Sequence, residues 1–523
     1  MLTLLIGLPL LGALAVLIFP AAKAKLVALW GAGIPLLWNV WLFSQFDISN
    51  SHFQWGESAA WLSVLGLDYE LGIDGLGLLM VGLNTFLTWI AIYSARPDVE
   101  RPRLFYILML MTSSVISGAF LAQNFLLFFL FYEACLIPLY LLINIWGGER
   151  RSYAATKFLI YTAISGALIL VGGFGLLWLG GAEDFSYAAL AETSLPPEKQ
   201  VLLLIPLAIG FGIKVPMVPL HTWLPDTYVA ASTPVAIMLG GVLAKLGTYG
   251  LLRFGFSLLP DGWAVIAPWI AIWAALTIIY CAFLAIVQRD IKRMVAYSSV
   301  SHMGYILLGS AAGTDLSLSG CISQMVAHGL VLAILFNLVG VIEAKVGSRE
   351  LDQLNGLMNP IRGLPFVSAT LLLGAMSSAG IPGLVSFPAE FAIFQGSYSV
   401  FHWQALMGVV GTGLTAVYFV ILLNRTCFGR LDNQRAYFPK VSLNEKAPAL
   451  ILVIVIIALG VQPNWLFRWS EAREVKAIEI VSGGAQTVTL EDIGSLLLGR
   501  ADASPGLVSA ARVSLADAPT ILD

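Results

Sequence analysis

Charge is scarce in this sequence. Only 11% of its 523 residues are Asp, Glu, Lys or Arg, where soluble domains carry about 25%. With 58% hydrophobic residues beside that shortage, a water-soluble core is excluded. The net charge is −3, so no basic surplus exists to hold nucleic acid. Cysteine is scarce too. The four are Cys135, Cys281, Cys321 and Cys427, and their wide spacing excludes CxxC, iron–sulfur and zinc patterns. All four lie in or beside apolar runs and read as plain core residues. A dinucleotide fingerprint is lacking as well. No positive stretch precedes the first apolar run. Lys23 and Lys25 follow it, so the run reads as a retained span with its N-terminus outside.

What the sequence has is apolar length. Runs of roughly 20 residues, enough to cross a bilayer core, recur from end to end. Fourteen spans are expected in an all-α polytopic membrane protein. Two long runs, 201–228 and 364–400, contain prolines and are expected to break. Each also has an ionisable residue beside the break, Lys214 in one and Glu390 in the other. Paired broken helices in two halves are the signature of inverted repeats. The expected organisation is 1–103 for the first three helices, 104–258 and 263–428 for two five-helix repeats, 447–468 for the last helix, and 470–523 for a polar tail. Basic residues support the count. Nineteen lysines and arginines, from Lys23 to Lys446, fall on loops of one side, against Lys199 and Arg253 on the other. That asymmetry marks the first side as cytoplasmic. Arg253, near a span end, reads as an interfacial anchor.

Ionisable residues at bilayer depth carry the chemistry. Glu133 lies between Asn124 and Trp146 in an apolar run. A lone charge there costs about 2.5–3.5 kcal/mol, so a partner or a function is expected. Lys214 stands at the first break, Lys245 in mid-span, and Glu390 beside the second break. His302 and His328 lie inside apolar spans, while His221 and His402 read as closer to the interfaces. A buried Glu–Lys pair has two nearly balanced states, ionised or neutral, and its titration belongs to the pair. Histidine, which titrates near neutrality, suits the links between such pairs. The set Glu133, Lys214, Lys245, His302, His328 and Glu390 is therefore read as a proton relay. The bland alternative, polar residues holding helices together, applies to each residue singly.

Five segments carry a family resemblance: Phe131-Tyr132-Glu133-Ala134-Cys135-Leu136-Ile137-Pro138; Gly212 to Asp226 with Lys214-Val215-Pro216 and Pro219-Leu220-His221-Thr222-Trp223-Leu224-Pro225-Asp226; Ala244-Lys245-Leu246-Gly247; Tyr297 to Gly304; and Ala327-His328-Gly329. With them the chain resembles the antiporter-like subunits of complex I, in the branch called M in bacteria and D in cyanobacteria and chloroplasts. The resemblance implies fourteen spans with two inverted five-helix repeats, and an ion pair between Glu133 and Lys214. It makes Lys245 the central relay, His302 and His328 links, and Glu390 the last site toward the outer face. Glutamate at 390 suits this branch, since the others usually carry lysine there. The implied activity is proton translocation within an NAD(P)H- or ferredoxin-driven plastoquinone reductase. No cofactor is expected in this chain; iron–sulfur clusters and plastoquinone belong to other subunits. The implied partners are lipids and neighbouring antiporter-like subunits of the B/N and F/L types. The implied location is a cyanobacterial thylakoid, with the N-terminus lumenal. Ser386 and Pro388 depart from the usual motif before Glu390. With the divergent tail they suggest a variant D subunit, for which the CO2-uptake form and its carbon-uptake module are expected. A cation–proton antiporter subunit and a pump-dead anchor are the rival readings.

Overall fold

The computed structural model describes residues 1–50, 52–431 and 437–469. The expected tail at 470–523, and Arg435 among the basic residues, lie outside the described residues. Helices dominate, and fourteen helical units follow one another as expected. They begin with α1 (Thr3–Ile18) and α2 (Ala24–Gln45). One segment departs from the all-helical expectation. Residues 54–73 form an antiparallel hairpin of β1 (Gln54–Leu62) and β2 (Leu67–Ile73). Hairpin pairing satisfies backbone groups that a bare loop would leave to water. The hairpin is clipped to the start of α1: the Glu57 carboxylate accepts from the Met1 ammonium, the Thr3 hydroxyl and the Leu2 and Thr3 amides. Burial pushes the Glu57 carboxyl up, but these bonds outweigh it and hold it down at about 2.

The next units are α3 (Gly75–Ser94), α4 (Pro102–Leu121), the pair α5 (Phe125–Ala134) and α6 (Leu136–Trp146), and α7 (Arg151–Gly180). After the short α8 (Tyr187–Ala191) comes the first broken span, α9 (Pro197–Lys214) and α10 (Trp223–Ala230). The following span starts as α11 (Thr233–Met238) and holds α12 (Ala244–Gly250) between two π-helical stretches, Leu239–Leu243 and Leu251–Phe256. Then come α13 (Pro260–Ile286), α14 (Ile291–Ala312) and α15 (Asp315–Val346). The second broken span is α16 (Pro365–Ser378) with α17 (Ser386–Tyr398), followed by α18 (His402–Thr426), α19 (Leu443–Val461) and the short α20 (Asn464–Phe467). Among the described residues, ten helices are long and apolar enough to cross a membrane. The remaining units are α1, α14 and the two broken spans, which are shorter, interrupted or more polar.

From α4 onward the break falls in the fourth unit of each set of five. Five is odd, so a second set of five starts from the opposite face of the bilayer and is inverted relative to the first. The breaks follow from proline and glycine. Pro216 has no N–H, so the carbonyl of Gly212, four residues back, loses its helical donor; α16 ends at a left-handed Gly380, where the Ile381 amide donates to Met376 and the Gly380 amide to Ser377. The Met217 amide donates to Gly212 at 2.9 Å, and Trp223 Nε1 donates to the Ile213 carbonyl at 2.9 Å. Broken backbone at this depth requires such internal partners.

Burial fits a protein solvated by hydrocarbon. Leu11, Leu14, Trp30, Leu37, Trp178 and Val420 are exposed apolar side chains on α1, α2, α7 and α18. The span 233–256 is enclosed on all sides, which puts Lys245 at the centre of the bundle. Close approach at the outer helices depends on glycine: a Cβ on Gly12 of α1 would come 2.7 Å from the Gly31 Cα of α2.

Candidate functional site

The broken spans and the enclosed span bring the ionisable residues into two groups. The first lies where α5, α7 and α9 meet. Glu133 is one residue from the end of α5, and its Oε1 is buried without a hydrogen-bond partner. Gly166 of α7 makes its space, because a Cβ there would stand 2.1 Å from Oε1. Lys214 is the last residue of α9 and fully buried. Its ammonium sits 3.9 Å from the centre of the Tyr132 ring, a cation–π contact. The Lys214 Nζ also lacks a hydrogen-bond partner. The ion pair implied for Glu133 and Lys214 is therefore open in this structure. The physical reason is local: the Tyr132 ring takes the front of the ammonium, while the carboxylate turns toward Gly166. A bonded bridge joins the same helices, Tyr132 Oη to Ser165 Oγ at 2.9 Å and Ser165 Oγ donating to the Gly210 carbonyl at 2.7 Å.

The second group is a succession of neighbours in which no hydrogen bond joins the two histidines. Lys245 is fully buried on α12, and its Nζ donates to the Gly240 carbonyl at 2.6 Å. That carbonyl lies on the preceding π-helical stretch, where the wider turn shifts the backbone ladder; such stretches are frequent at functional sites. The same Nζ stands 2.7 Å from His328 Nδ1 on α15. The rings of His328 and His302 stack with centroids 5.9 Å apart. His302 of α14 has Nδ1 2.8 Å from the Ser298 carbonyl and Nε2 2.9 Å from the Ser378 carbonyl. The latter is the last carbonyl of α16, freed by the Gly380 turn at the second break. Nε2 is also 3.6 Å from Glu390 Oε1. Gln324 Nε2 donates to Glu390 Oε1, and Thr412 Oγ1 donates to Oε2, each at 3.3 Å. Tyr305 adds its hydroxyl 3.4 Å from Thr412 Oγ1. Lys245, His328, His302 and Glu390 thus form one file across α12, α15, α14 and α17.

That file suits proton transfer. A carbonyl only accepts, and a neutral imidazole has a single N–H. His302 faces carbonyls at both nitrogens, so the site has places for two protons on one ring, with a carboxylate beside it. Between Lys245 Nζ and His328 Nδ1 only one hydrogen is needed, and either group can hold it. Between the two groups the structure shows packing: a Cβ on Gly247 would lie 3.1 Å from Lys214 Cβ. No hydrogen bond joins Lys214 to Lys245 among the described residues.

Several charged residues take places that the sequence did not indicate. Arg253 is no interfacial anchor. It is 2% exposed and donates from both terminal nitrogens to Asp74, at 2.9 and 2.8 Å. Asp74 also caps α3 by accepting from the Gly77 amide. The carboxylate end of a hairpin and the end of the enclosed span meet only in the fold. Asp226 divides its carboxylate between Lys157 of α7 at 2.8 Å and Arg293 of α14 at 2.7 Å. His221, read as interfacial, is buried beside Tyr280 and Tyr297; His402 lies at the first position of α18.

A family profile described as NADH:quinone oxidoreductase/Mrp antiporter, TM, matches residues 122–415, which contain both groups. A NAD(P)H-quinone oxidoreductase chain 4 of Trichormus variabilis is 38% identical over 93% of this chain and 92% of its own length. This chain belongs to the NADH:quinone oxidoreductase/Mrp antiporter family. Another family relative, a NAD(P)H-quinone oxidoreductase chain 4 of Nostoc, is 37% identical over the same shares. Among solved structures, a chain of respiratory complex I from Thermus thermophilus superposes with a TM-score of 0.84 at 28% identity. It covers 92% of this chain and all of that one. A chain of the Mrp complex from Dietzia shares the fold, with a TM-score of 0.80 at 23% identity, over 91% of this chain and 97% of that one. Both of these family relatives are chain 4 subunits, in agreement with the branch read from its motifs.

Proposed function

We propose that this chain is a proton-translocating membrane subunit of a complex I-type NAD(P)H- or ferredoxin-driven quinone oxidoreductase. The carrying observation is the succession of buried titratable groups from Lys245 through His328 and His302 to Glu390, linked by a hydrogen bond, a ring stack and a 3.6 Å approach. A merely structural ion pair needs two groups in contact; here four titratable groups on four helices meet in sequence. Glu133 and Lys214 act as the variable end of the relay. Closing their open pair places a positive charge nearer to or farther from Lys245 and so moves protons along the file. Quinone reduction in other subunits supplies the energy. The neighbours are antiporter-like subunits of the B/N and F/L types. The Lys/Arg-rich face is cytoplasmic, the N-terminus is lumenal, and the membrane is a cyanobacterial thylakoid. The departures at Ser386 and Pro388 support a place in the CO2-uptake form of the complex.

The test is Lys245→Ala in the complete complex, reconstituted in liposomes. The expected result is normal assembly with proton translocation reduced by this subunit's share. Full translocation per electron would remove the reading. Sodium-dependent translocation without quinone reduction would favour a cation–proton antiporter, whose fold this chain shares.

A further inference from the structure

The Lys/Arg-rich face carries a feature that the relay does not use. A cavity of about 790 Å³ opens there among the ends of α2, α3, α6, α10, α15 and α19. Its walls bring together Lys25 of α2, Arg96 just beyond α3, and Lys292 of α14. The acids that line it are Asp98, Glu343 and Glu445. Glu445 pairs with Lys345 at 2.8 Å and Glu343 with Arg349 at 3.4 Å, while Asp98 is exposed. Among the described residues, Lys25, Arg96 and Lys292 form no ion pair. Three unmatched cations thus stand against one carboxylate.

Two of these cations are held with a donor to spare. The Lys25 ammonium donates to the carbonyls of Tyr93 and Ala95 at 2.9 and 2.5 Å. The Lys292 ammonium donates to the carbonyls of Val229 and Ala231 at 3.3 and 2.6 Å. An ammonium has three N–H donors, so each keeps one. Lys292 is only 3% exposed, and a buried charge without a counter-ion is costly. Arg96 is exposed, and its planar fork suits the oxygens of a phosphate. The cavity also calls for a hydroxyl. Asn337 lines it and is itself 3% exposed. Asn337 Nδ2 donates to Ser94 Oγ at 2.9 Å, and Ser94 Oγ donates onward to the Ile90 carbonyl at 2.8 Å, which fixes the orientation of the amide. Asn337 Oδ1 is left buried without a partner, as is Ser232 Oγ on the same wall. An amide oxygen only accepts, so the occupant needs a donor beside its negative charge.

We propose that this cavity binds a hydroxyl-bearing phosphate anion, the headgroup of a membrane lipid of the phosphatidylglycerol class. The phosphate oxygens accept from Lys25, Arg96 and Lys292, and a headgroup hydroxyl donates to Asn337 Oδ1. The walls favour a lipid over a soluble phosphate. Leu29 of α2 and Pro448 of α19 line the cavity, and both helices pack against α3. Leu26 and Trp30 of α2 and Leu450 of α19 are exposed apolar side chains, so acyl chains have a surface to lie along. Basic pockets between spans near a membrane face hold anionic headgroups in this way. The inference stands apart from the proton-translocation reading.

The test reads occupancy by labelling. Ala344 is exposed and lines the cavity, and the four native cysteines are buried, so Ala344→Cys gives this chain one reactive thiol at the site. The assembled complex is placed in nanodiscs of phosphatidylcholine alone, with added phosphatidylglycerol, or with inorganic phosphate in the buffer. An uncharged maleimide, which surface charge does not steer, labels the thiol, and the mass of this subunit follows the rate. Phosphatidylglycerol is expected to slow labelling several-fold and inorganic phosphate to leave it unchanged. Adding Arg96→Gln removes charge-assisted hydrogen bonds and is expected to raise the phosphatidylglycerol fraction needed for half protection about tenfold. Arg96 makes no ion pair in the fold, so incorporation of the subunit should be normal, and Arg96→Lys should recover part of the protection. Slowing by inorganic phosphate alone overturns the assignment to a lipid and supports a soluble phosphate at the same cations. Unchanged labelling with both anions overturns the site, and so does slowing that is equal with and without Arg96→Gln.

Discussion

At the scale of single residues, the file depends on where each polar atom has a partner and where it has none. Glu133 has space only because position 166 lacks a side chain. Gly166→Ala puts a methyl 2.1 Å from Oε1, so the carboxylate must swing away from α7. The expected outcome is a several-fold change in proton translocation without loss of assembly. Added to Glu133→Gln, the same change should have little further effect, since neighbours that share one contact are not additive. A double-mutant cycle on translocation rate checks this. Residue types were legible in the sequence: acids and bases at bilayer depth stand out because burying them is costly. Their partners were not. The Ser378 carbonyl and the Gln324 and Thr412 side chains carry no charge to mark them. Arg253 looked like an anchor because it sits near a span end, and Asp74 is distant in sequence. Such a pair is set by tertiary packing alone. The buried Arg253–Asp74 pair gives its own expectation. Removing one partner strands the other charge at a cost of roughly 3–5 kcal/mol. Arg253→Ala or Asp74→Ala should each prevent stable incorporation, and the double replacement Asp74→Leu with Arg253→Met should assemble better than either. Incorporation into the complex, read on native gels, decides it.

At the scale of elements, glycine, proline and π-helix place the chemistry. The left-handed Gly380 ends α16 and leaves the Ser378 carbonyl without a helical donor, and His302 takes it. Both breaks were legible, since Gly and Pro inside apolar runs carry a known meaning at membrane depth. The π-helical stretches around Lys245 were not, because no local residue preference separates a wider turn from an α-turn in a fully buried helix. The β-hairpin was hidden for a different reason. β2 alternates, with Leu67, Tyr69, Leu71 and Ile73 against Asp68, Glu70 and Gly72, but β1 does not, and the anchor is the start of α1, distant in sequence. That anchor has a pH signature. Glu57 is held at about 2 against an ordinary 4.5. Its contribution is therefore complete above roughly 4.5 and lost as pH falls toward 2. Protection of the hairpin from proteolysis should be constant from neutral pH down to mild acid in the unsubstituted chain, and weaker throughout in Glu57→Gln.

At the scale of the whole molecule, two sets of five spans meet at Asp226, which ties α7 of one to α14 of the other. The enclosed span between them holds Lys245, so charge moved in one set acts on the other through a medium of low polarity. The order of spans and the place of the breaks were readable from apolar length and from basic loops. The nearness of the four groups in the file was not, because contact between α12, α14, α15 and α17 exists only after packing. The most direct measurement is the number of protons moved per electron by the reconstituted complex carrying His302→Ala, with quinone reduction measured in the same vesicles. His302 is the link between the two ends of the file, so the expected ratio is lower than in the unsubstituted complex by this subunit's share, with the subunit fully incorporated. An unchanged ratio would contradict proton passage from Lys245 to Glu390.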